Sequence, residues 1–443
     1  MKTTELYQLF CQHPVITTDS RDCPQDAIFF ALKGESFNGN QFASMALEKG
    51  CAYAVIDEET YLDPSDQRYI LVDDCLLALQ QLANHHRRQL KTPIIGVTGT
   101  NGKTTTKELL ATVLSERYNV LYTKGNLNNH IGVPKTLLQL RPEHEMAVIE
   151  MGANHPGEIH SLVHIVEPDY GLITNVGKAH LEGFGSFEGV KRTKGELYDF
   201  LSENHSADAL FINSDDANLI EMAQQRWTSD LFSACHSYAV NGDEHPANVR
   251  GTIIACDPYL RFSWKTDSSP AEHSINTHLI GSYNIYNVLA AICVGRHFGV
   301  SEEQIKHALE NYTPSNNLSQ LTVTTYNQLV VDTYNANPTS MKAALENFQA
   351  MQVSPKMVIL GDMGELGDSS TEEHQRIVDF LQAVHFDEVW LVGKEFGKID
   401  HPYRRFQNVE EVKQALQEDR PEGYYILIKG SNYMRLFQLP EWL

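Results

Sequence analysis

The sequence has little of what marks a secreted, membrane-bound or nucleic-acid-binding protein. Its 443 residues include no hydrophobic signal core and no apolar run long enough to cross a bilayer, so we expect no membrane insertion. The seven cysteines form no C-x-x-C pair, which argues against a zinc site or a disulfide framework. Acidic residues number 57 against 35 basic ones, and a net charge of −22 would repel a nucleic acid. We expect a cytoplasmic protein without a nucleic-acid partner.

What is present is a normal globular composition, 42% hydrophobic and 21% charged, arranged as alternating strand-like and helix-like segments. Turn-rich breaks at 91–93 and from Asn311 onward predict three domains, residues 1–91, 92–312 and 313–443. Short apolar runs in the second and third domains are typical of parallel strands covered on both faces. The predicted class is α/β: a small N-terminal α/β domain, a central parallel-sheet domain and a C-terminal doubly wound, Rossmann-like domain. One long helix is predicted over 278–299.

Polar and glycine clusters follow the apolar runs throughout both larger domains. The clusters read GTNGKT, EMG, NVGKAH, NSDD, DTYNANP, GDMGELG and KGSN. Because ligands of open parallel sheets bind beyond the carboxyl ends of the strands, these clusters predict one large site or two facing sites.

The first of these clusters is a shortened relative of the phosphate-binding P-loop. In the segment VTGTNGKTTT, the usual first glycine is replaced by Val97, and Gly99 stands closer to Gly102 than the usual pattern requires. A turn that merely allows tight geometry is the alternative, but the strand before, the helix after and the Lys-Thr pair favour nucleotide phosphate. The residues predicted to bind ATP here are Gly99, Thr100, Asn101, Gly102, Lys103, Thr104 and Thr105.

The segment GTNGKTTT resembles the ATP-binding loop of the Mur ligase family, ATP-dependent amide-forming enzymes that assemble the stem peptide of peptidoglycan. The resemblance extends along the chain, through DSRDCPQDAIFFALKGESFNGNQF, GNLNNHIGVPKTLL, EMGANHPGEI, VVDTYNANPTSMKAAL and ILGDMGELG. It implies that the first domain binds a uridine-diphosphate sugar and the central one ATP. The third domain would close over ATP and bind an incoming dipeptide.

The resemblance also implies a magnesium site. By it, Glu150 and His180 bind Mg²⁺ together with the Thr104 hydroxyl. Lys194 matches a lysine that is carbamylated in the family, which converts a cation into an oxygen ligand. Lys103, Glu150, His180 and Lys194 are therefore the expected catalytic set, with ATP and Mg²⁺ as cofactors.

Further binding residues are expected outside this set. The amides of Asn284 and Asn287 suit the adenine edge, although two amides that cap turns are an equal alternative from the sequence alone. Asp332 is expected beside ATP, and Asn213 and Asp216 follow another strand that ends near the nucleotide. By resemblance, the expected substrate-binding residues are Ser20, Arg21, Lys33, Gly34, Asn128, Asn129, Tyr334, Asn335, Asn337 and Pro338.

Within the family, the outer segments resemble the last ligase of the series. That resemblance implies a monomer that joins D-alanyl-D-alanine to UDP-N-acetylmuramoyl-tripeptide through an acyl phosphate, releasing ADP and phosphate. Alternatives are the ligase of the third residue, a folylpolyglutamate synthase-like enzyme, and a non-catalytic nucleotide-binding homologue. Leu318, where the family usually has arginine, is the feature that favours the last alternative.

Overall fold

The computed structural model describes residues 1–227, 231–240, 247–267, 269–314 and 320–443, so Leu318 lies outside the described residues. The chain forms two compact units. The first comprises Met1–Val97, Tyr118–Gly152 and Glu158–Gly171, and the second comprises Thr98–Arg117, Ala153–Gly157 and Leu172–Leu443. These units do not test the predicted domain boundaries after residues 91 and 312, which stay predictions.

Helices and strands alternate from the start of the chain. The first elements are α1 (Thr3–Gln12), β1 (Ile16–Thr17), β2 (Ile28–Phe30), α2 (Ala43–Glu48), β3 (Tyr53–Ile56), β4 (Tyr69–Leu71), α3 (Cys75–Leu90), β5 (Ile94–Thr98), α4 (Lys103–Ser115), β6 (Val120–Tyr122), α5 (Gly132–Leu137), β7 (Met146–Glu150), α6 (Glu158–Val166), β8 (Tyr170–Ile173), α7 (Leu181–Phe184), α8 (Phe187–Asn204) and β9 (Leu210–Asn213).

The remaining elements follow in the same alternation, interrupted by one antiparallel segment. They are α9 (Ala217–Gln224), α10 (Leu231–Ala234), β10 (His236–Ala239), β11 (Val249–Cys256), β12 (Tyr259–Thr266), β13 (Ser269–Ile280), α11 (Asn284–His297), α12 (Glu302–Asn311), β14 (Gln320–Val323), β15 (Gln328–Asp332), α13 (Pro338–Ala350), β16 (Lys356–Gly361), α14 (Ser370–Ala383), β17 (Glu388–Val392), α15 (Lys394–Gly397), β18 (Arg404–Phe406), α16 (Val409–Glu418) and β19 (Tyr425–Lys429).

The N-terminal sheet has four parallel strands in the order β1-β2-β3-β4. The long helix α3 follows it and begins at a side-chain cap, because Asp74 accepts a hydrogen bond of 2.7 Å from the amide of Leu77. The helix ends at Lys91, which adopts the left-handed conformation at φ 55°.

The central sheet has nine strands in the order β13-β12-β11-β10-β9-β8-β5-β7-β6. Strands β5 and β7 are buried along their whole length, as parallel strands covered on both faces must be. Strands β11, β12 and β13 instead pair antiparallel, and β12 and β13 alternate in burial along part of their length. The strand–helix alternation expected from the sequence did not include this antiparallel extension.

The helix predicted over 278–299 is wrong at its start. Residues 278–280 end strand β13, and α11 begins only at Asn284. Gly281 lies between them at φ 102°, a conformation that L residues rarely adopt and that ends the strand. Because α11 is buried nearly all round, its apolar composition continues into the preceding strand and conceals the boundary.

The C-terminal sheet has six strands in the order β14-β15-β19-β16-β17-β18, all parallel except the β14–β15 pair. One face packs against α13 and α14, and the other packs against α16 and the final turns of the chain. The parallel register of β15 and β19 places Asp332 opposite Lys429 at the carboxyl ends of both strands.

In the first unit, Arg87 of α3 holds the segment that leads from α6 into β8. Its guanidinium donates to the carbonyls of Val166 (3.1 Å) and Glu167 (2.8 Å), and its side chain is only 10% exposed. It also contacts a carboxylate oxygen of Asp169 at 2.7 Å, and the same oxygen accepts from the amide of Ile94 at 2.8 Å. One buried cation therefore joins α3 to the segment beside the start of β5.

We expect Arg87→Ala to destabilise the protein by about 2–4 kcal/mol, because one buried and one partly buried carbonyl lose their donor and the Asp169 carboxylate loses its cation. The matched control is Arg88→Ala on the same helix, whose side chain is 61% exposed and pairs with Glu167. An exposed pair contributes less than about 1 kcal/mol, so the control should stay close to the wild type. Urea unfolding followed by circular dichroism measures both, and equal midpoints for the two variants would contradict this account.

Candidate active site

The loop between β5 and α4 is shaped by two glycines in the second unit. Gly99 has φ 142°, and a Cβ atom there would lie 2.1 Å from the hydroxyl oxygen of Thr174. Gly102 has φ 76° and caps α4, and a Cβ atom there would lie 2.7 Å from the amide oxygen of Asn287. Both positions therefore require glycine. The loop leads into the N-terminus of a thirteen-residue helix, the usual arrangement for binding phosphate.

The segment after β8 fixes the backbone of this loop. Asn175 accepts from the amide of Asn101 through Oδ1 (3.1 Å) and donates to the carbonyl of Asn101 through Nδ2 (3.0 Å). Thr174 donates its hydroxyl to the same carbonyl at 2.7 Å, and the amide of Gly177 donates to the hydroxyl of Thr100 at 3.0 Å. The loop conformation is thus determined by side chains as well as by its own glycines.

Lys103 begins α4, and its ammonium group lies over the loop. Nζ donates to the carbonyls of Gly99 and Thr100, each at 2.9 Å. Thr104 and Thr105 follow in the first turn of the helix. The structure thus places the predicted lysine at the loop, beside the first turn that carries the predicted hydroxyl.

The amides of Asn284 and Asn287 are engaged inside the protein. Asn287 donates to the side-chain oxygen of Asn284 at 2.8 Å, and Asn284 donates to the carbonyl of Ile280, also at 2.8 Å. The hydroxyl of Thr106 on α4 donates to Asn287 at 3.1 Å. These contacts join α11 to α4. They favour a structural role for both asparagines over recognition of adenine, and the adenine contact stays a prediction.

In the first unit, Glu150 stands at the end of β7 with 1% of its surface exposed. Asn128 donates to its Oε1 at 2.8 Å, and the carbonyl of Asn128 accepts from Gly152 at 2.7 Å. Asn129 turns the chain toward α5 by accepting from the amides of Ile131 and Gly132. The structure therefore brings Asn128 to Glu150 and uses Asn129 within the adjoining turn.

His180 and Lys194 both lie near the ring of Phe184 in the second unit. The centroids of His180 and Phe184 are 6.2 Å apart with the rings edge to face, and Nζ of Lys194 lies 5.3 Å from the same Phe184 ring. Lys194 is 2% exposed and donates to the carbonyl of Ala153 at 3.3 Å. Such burial is unusual for a lysine.

Three contacts join the residues of this region to the loops that follow β15 and β16 and to helix α14. Asn101 and Asn337 exchange hydrogen bonds between their amides, at 2.8 Å and 3.4 Å. Lys178 pairs with the buried carboxylate of Glu373 at 2.7 Å. His180 pairs through Nδ1 with Glu365, and this hydrogen bond lowers the pKa of the Glu365 carboxyl. The phosphate loop and the predicted third domain are thus in direct contact.

The loop after β15 carries most of the remaining predicted residues. Lys429 is almost wholly buried and contacts Asp332 at 2.7 Å and the carbonyl of Asn335 at 3.2 Å. Asn337 caps α13 by accepting from Ser340 at 2.9 Å, and Pro338 occupies the first turn, where its missing amide hydrogen is harmless.

Tyr334 is 42% exposed beside these residues. Asp332 therefore serves an internal ion pair in this structure, and its predicted contact with ATP stays a prediction.

The two cations predicted for the nucleotide-sugar are paired with carboxylates. Arg21 holds Asp19 in a bidentate contact, and this hydrogen bond keeps the pKa of Asp19 below its usual range. Lys33 contacts Asp57 at 3.1 Å and Glu58 at 3.5 Å.

Residues Ser20, Arg21, Lys33 and Gly34 follow the adjacent strands β1 and β2, so they lie at one sheet edge. Their role in binding the nucleotide-sugar stays a prediction.

Asn213 and Asp216 serve local turns. Asp216 caps α9 by accepting from the amides of Asn218 and Leu219, while Asn213 accepts from the amide of Asp215. Burial raises the pKa of the Asp216 carboxyl. A structural role accounts for both residues.

Sequence reasoning missed the residues that contact the predicted ones, above all Thr174, Asn175 and Glu365. The polar clusters NVGKAH and GDMGELG were recognised as ends of strands. The partners of the individual side chains are set by packing across the fold, which the local sequence does not reveal.

The donor types of the predicted magnesium ligands fit the ion. A threonine hydroxyl, a carboxylate, an imidazole and a carbamate are the oxygen and nitrogen donors that such a site can use. Among the described residues, no three His, Cys, Asp or Glu side chains gather into a metal-binding group. Of the four predicted ligands, only Glu150 and His180 are of these residue types. The predicted magnesium site therefore could not have been found as a group of three.

Three family models match consecutive parts of the chain. They are the "Mur ligase family, catalytic domain" at residues 14–87, the "Mur ligase middle domain" at 97–295 and the "Mur ligase, glutamate ligase domain" at 320–432. No helix in the described ranges is both long enough and apolar enough to span a bilayer.

Relatives of known name match over almost the whole length. The UDP-N-acetylmuramoyl-tripeptide–D-alanyl-D-alanine ligase of Bacillus subtilis (strain 168) is 34% identical over 439 residues, covering 96% of this chain and 92% of the relative. The enzyme of the same name from Escherichia coli (strain K12) is 36% identical over 428 residues, covering 94% and 90%.

Solved structures agree in fold. A crystal structure of MurF from Acinetobacter baumannii has a TM-score of 0.85 at 32% identity and covers 96% of this chain and 92% of that one. The MurF ligase from Thermotoga maritima in complex with ADP has a TM-score of 0.84 at 25% identity, with coverage of 97% and 96%.

The chain belongs to the Mur ligase family. Its three-domain α/β fold, with a parallel-sheet central domain, is confirmed.

The hydrogen bonds of Asn175 give a testable expectation. Asn175→Ala removes two bonds to the backbone of Asn101, at about 1 kcal/mol each, so we expect ADP to bind roughly 30-fold more weakly. Calorimetric titration with ADP and Mg²⁺ measures this, with Asn204→Ala as the control. The Asn204 amide donates to the carbonyl of Phe200 on its own helix α8, so that variant should bind ADP normally. Equal affinities in the two variants would show that the Asn175 bonds do not organise the loop.

Proposed function

We propose that this protein is the ATP-dependent ligase that joins UDP-N-acetylmuramoyl-tripeptide to D-alanyl-D-alanine, in peptidoglycan synthesis. The observation that carries the proposal is the likeness, at 34% and 36% identity, to two ligases of that name over at least 94% of the chain. A likeness that spans all three domains includes the outer ones, which select the substrates.

ATP use is supported by the loop itself and by a relative. The loop has the two left-handed glycines, the helix N-terminus and the lysine that a triphosphate site needs. The structurally similar ligase of Thermotoga maritima was solved with ADP. The loop therefore binds the phosphates of ATP, and the γ-phosphoryl group is the one transferred.

The reaction has two steps. The tripeptide carboxylate attacks the γ-phosphorus, the bond to the bridging oxygen breaks, and an acyl phosphate and ADP form. The amine of D-alanyl-D-alanine then attacks the acyl carbon, the bond to the phosphate oxygen breaks, and the amine loses a proton. Because both carboxylate and triphosphate are anionic, the protein's main task is to position them and neutralise charge.

The chain's own groups supply that neutralisation. Lys103 supplies a cation at the loop: its ammonium, which donates to the carbonyls of Gly99 and Thr100 here, would contact the β- and γ-phosphates beside the loop amides. The amide clasp between Asn101 and Asn337 brings the third domain to the same loop. Closure of that domain excludes water, which would otherwise hydrolyse the acyl phosphate.

Magnesium would be held by Thr104, Glu150, His180 and a carbamylated Lys194, and bound there it supplies charge neutralisation on the phosphate oxygens. Carbamylation joins a neutral lysine amine to CO₂ and releases one proton. The burial of Lys194 supports it, since an ammonium ion is costly to bury whereas a metal-bound carbamate is compensated.

The substrates are assigned to the outer domains. Arg21 and Lys33, at the edge of the N-terminal sheet, would exchange their carboxylate partners for the diphosphate of the nucleotide-sugar. The exposed Tyr334, near the buried Lys429–Asp332 pair, would meet the incoming dipeptide. A monomeric state and a cytoplasmic location remain predictions from the sequence.

Other ligases of the superfamily fit less well. The structure of the enzyme adding 2,6-diaminopimelate has a TM-score of 0.52 at 17% identity, and that of a folylpolyglutamate synthase has 0.60 at 15%. Both likenesses concern the fold alone. Turnover with UDP-N-acetylmuramoyl-dipeptide and diaminopimelate, or with a folate and glutamate, would favour these alternatives. Absence of turnover with every substrate pair would favour a non-catalytic homologue.

Lys103→Ala should lower ADP release in the presence of both proposed substrates by at least about 100-fold, because the cation opposite the transferred phosphoryl group is lost. A coupled assay that follows ADP measures this, and Lys306→Ala, an exposed position on α12, is the control. The wild type should release ADP over many turnovers only when both the tripeptide substrate and D-alanyl-D-alanine are present. Near-normal turnover of Lys103→Ala would refute the assignment of the loop.

Lys194→Ala should lose most activity and regain part of it with formate or acetate, which can replace the carbamate oxygens. Lys191→Ala lies on the same helix, removes a lysine that pairs with Glu221, and should stay active without added acid. In ¹³C-bicarbonate, the wild type and Lys191→Ala should give a carbamate resonance that Lys194→Ala lacks. An identical spectrum for all three proteins would contradict the carbamate.

A further inference from the structure

His180 lies between the central and third domains in an unusual backbone conformation. Its φ is 50°, in the left-handed region, and it caps the short helix α7. Its imidazole contacts the loop that follows β16. There Nδ1 pairs with a carboxylate oxygen of Glu365, and the backbone carbonyl of Glu365 accepts from the amide of Glu182 at 3.2 Å. An ion pair and a backbone hydrogen bond thus attach this loop to the residues around His180.

The chemistry of the contact fixes which ring nitrogen carries the proton. An ionised carboxylate can only accept hydrogen bonds, so the nitrogen that meets Glu365 must be protonated. In a neutral imidazole the other nitrogen, Nε2, then has a free lone pair. Metal-binding histidines in proteins are held in the same way, by a carboxylate on the nitrogen that does not bind the metal.

Glu365 is itself held in place. It has φ 60°, also in the left-handed region, so its backbone conformation is uncommon for a residue with a side chain. Nearby, Gly367 has φ 52°, and a Cβ atom there would lie 3.5 Å from Glu182, so this turn packs closely on the first turn of α7. The uncommon backbone conformation of Glu365 supports a loop whose shape is set by its contacts with the residues around His180.

We propose that Glu365 is a positioning residue: it holds His180 with Nδ1 protonated, which leaves Nε2 able to bind the metal. The inference rests on the proposed magnesium site and adds a residue to it. The third domain thereby contributes a residue that supports a metal ligand of the central domain.

The test uses the full-length protein with saturating ADP and Mn²⁺ as the probe metal, followed by electron paramagnetic resonance. Glu365→Ala should weaken Mn²⁺ binding by about 10–100-fold, the usual effect of losing such a partner. Glu365→Gln keeps an oxygen that can accept from Nδ1 and should restore most of the affinity.

Two further measurements distinguish the positioning of His180 by Glu365 from a general loss of contact between the domains. Lys178→Met removes the Lys178–Glu373 pair, another contact between the same domains, and should bind Mn²⁺ within about threefold of the wild type. In ¹⁵N-histidine spectra without metal, the wild-type His180 signal should be that of the Nδ1-protonated tautomer. In Glu365→Ala it should shift toward the Nε2-protonated form. The His180→Gln variant identifies the signal.

The outcomes are distinguishable. Wild-type affinity in Glu365→Ala, an unchanged tautomer, or an equal loss in Lys178→Met overturns the role of Glu365 and leaves the ligase function standing. A wild-type protein that binds no Mn²⁺ beside ADP overturns the magnesium site and this inference with it. Weak binding and a shifted tautomer in Glu365→Ala alone, with recovery in Glu365→Gln, support the proposal.

Discussion

The structure depends on the hydrogen bonds that the segment after β8 makes to the backbone of the β5–α4 loop. Thr174 and Asn175 bind the carbonyl and amide of Asn101, and Gly177 binds Thr100. Because these bonds fix the loop, its amides and the start of α4 are oriented before any ligand arrives, which lowers the entropic cost of binding. The lysine cation and the contacts with the third domain all build on that fixed backbone.

Three residues of the third domain contact the β5–α4 loop and the segment after β8, and they do so through different side-chain groups. Asn337 offers a neutral amide to the loop, whereas Glu365 and Glu373 offer carboxylates to His180 and Lys178. The six-stranded sheet positions these residues because Asn337 and Glu365 follow the carboxyl ends of β15 and β16. Two of the contacting residues therefore come from the carboxyl ends of parallel strands, where ligand sites of open α/β sheets lie.

The sequence predicted best what is encoded locally. The strand before the β5–α4 loop and the helix after it depend on neighbouring residues, and the structure has both where the sequence predicted them; the roles of the loop and of Lys103 in binding ATP stay predictions. The antiparallel strands β11–β13 and the start of α11 were missed, because a buried helix and a buried strand share the same apolar composition and only Gly281 separates them. Asn175 and Glu365 could not be predicted as partners, since each acts on a residue far along the chain. Asn284 and Asn287 form hydrogen bonds inside the protein, as the alternative of two capping amides expected, and their contact with adenine stays a prediction.

The amide clasp at Asn101 also bears on the chemical ageing of the protein. Asn101 precedes Gly102, and without a Cβ atom on that glycine its backbone nitrogen is little hindered from attacking the asparagine side chain to form a succinimide. Hydrolysis of that ring would leave an aspartate or isoaspartate, a negative charge where phosphate must approach. The reciprocal bonds to Asn337 and the bond from the backbone of Asn101 to Asn175 restrict the rotations that formation of the ring requires. We therefore expect deamidation of Asn101 to be slower while the third domain is docked.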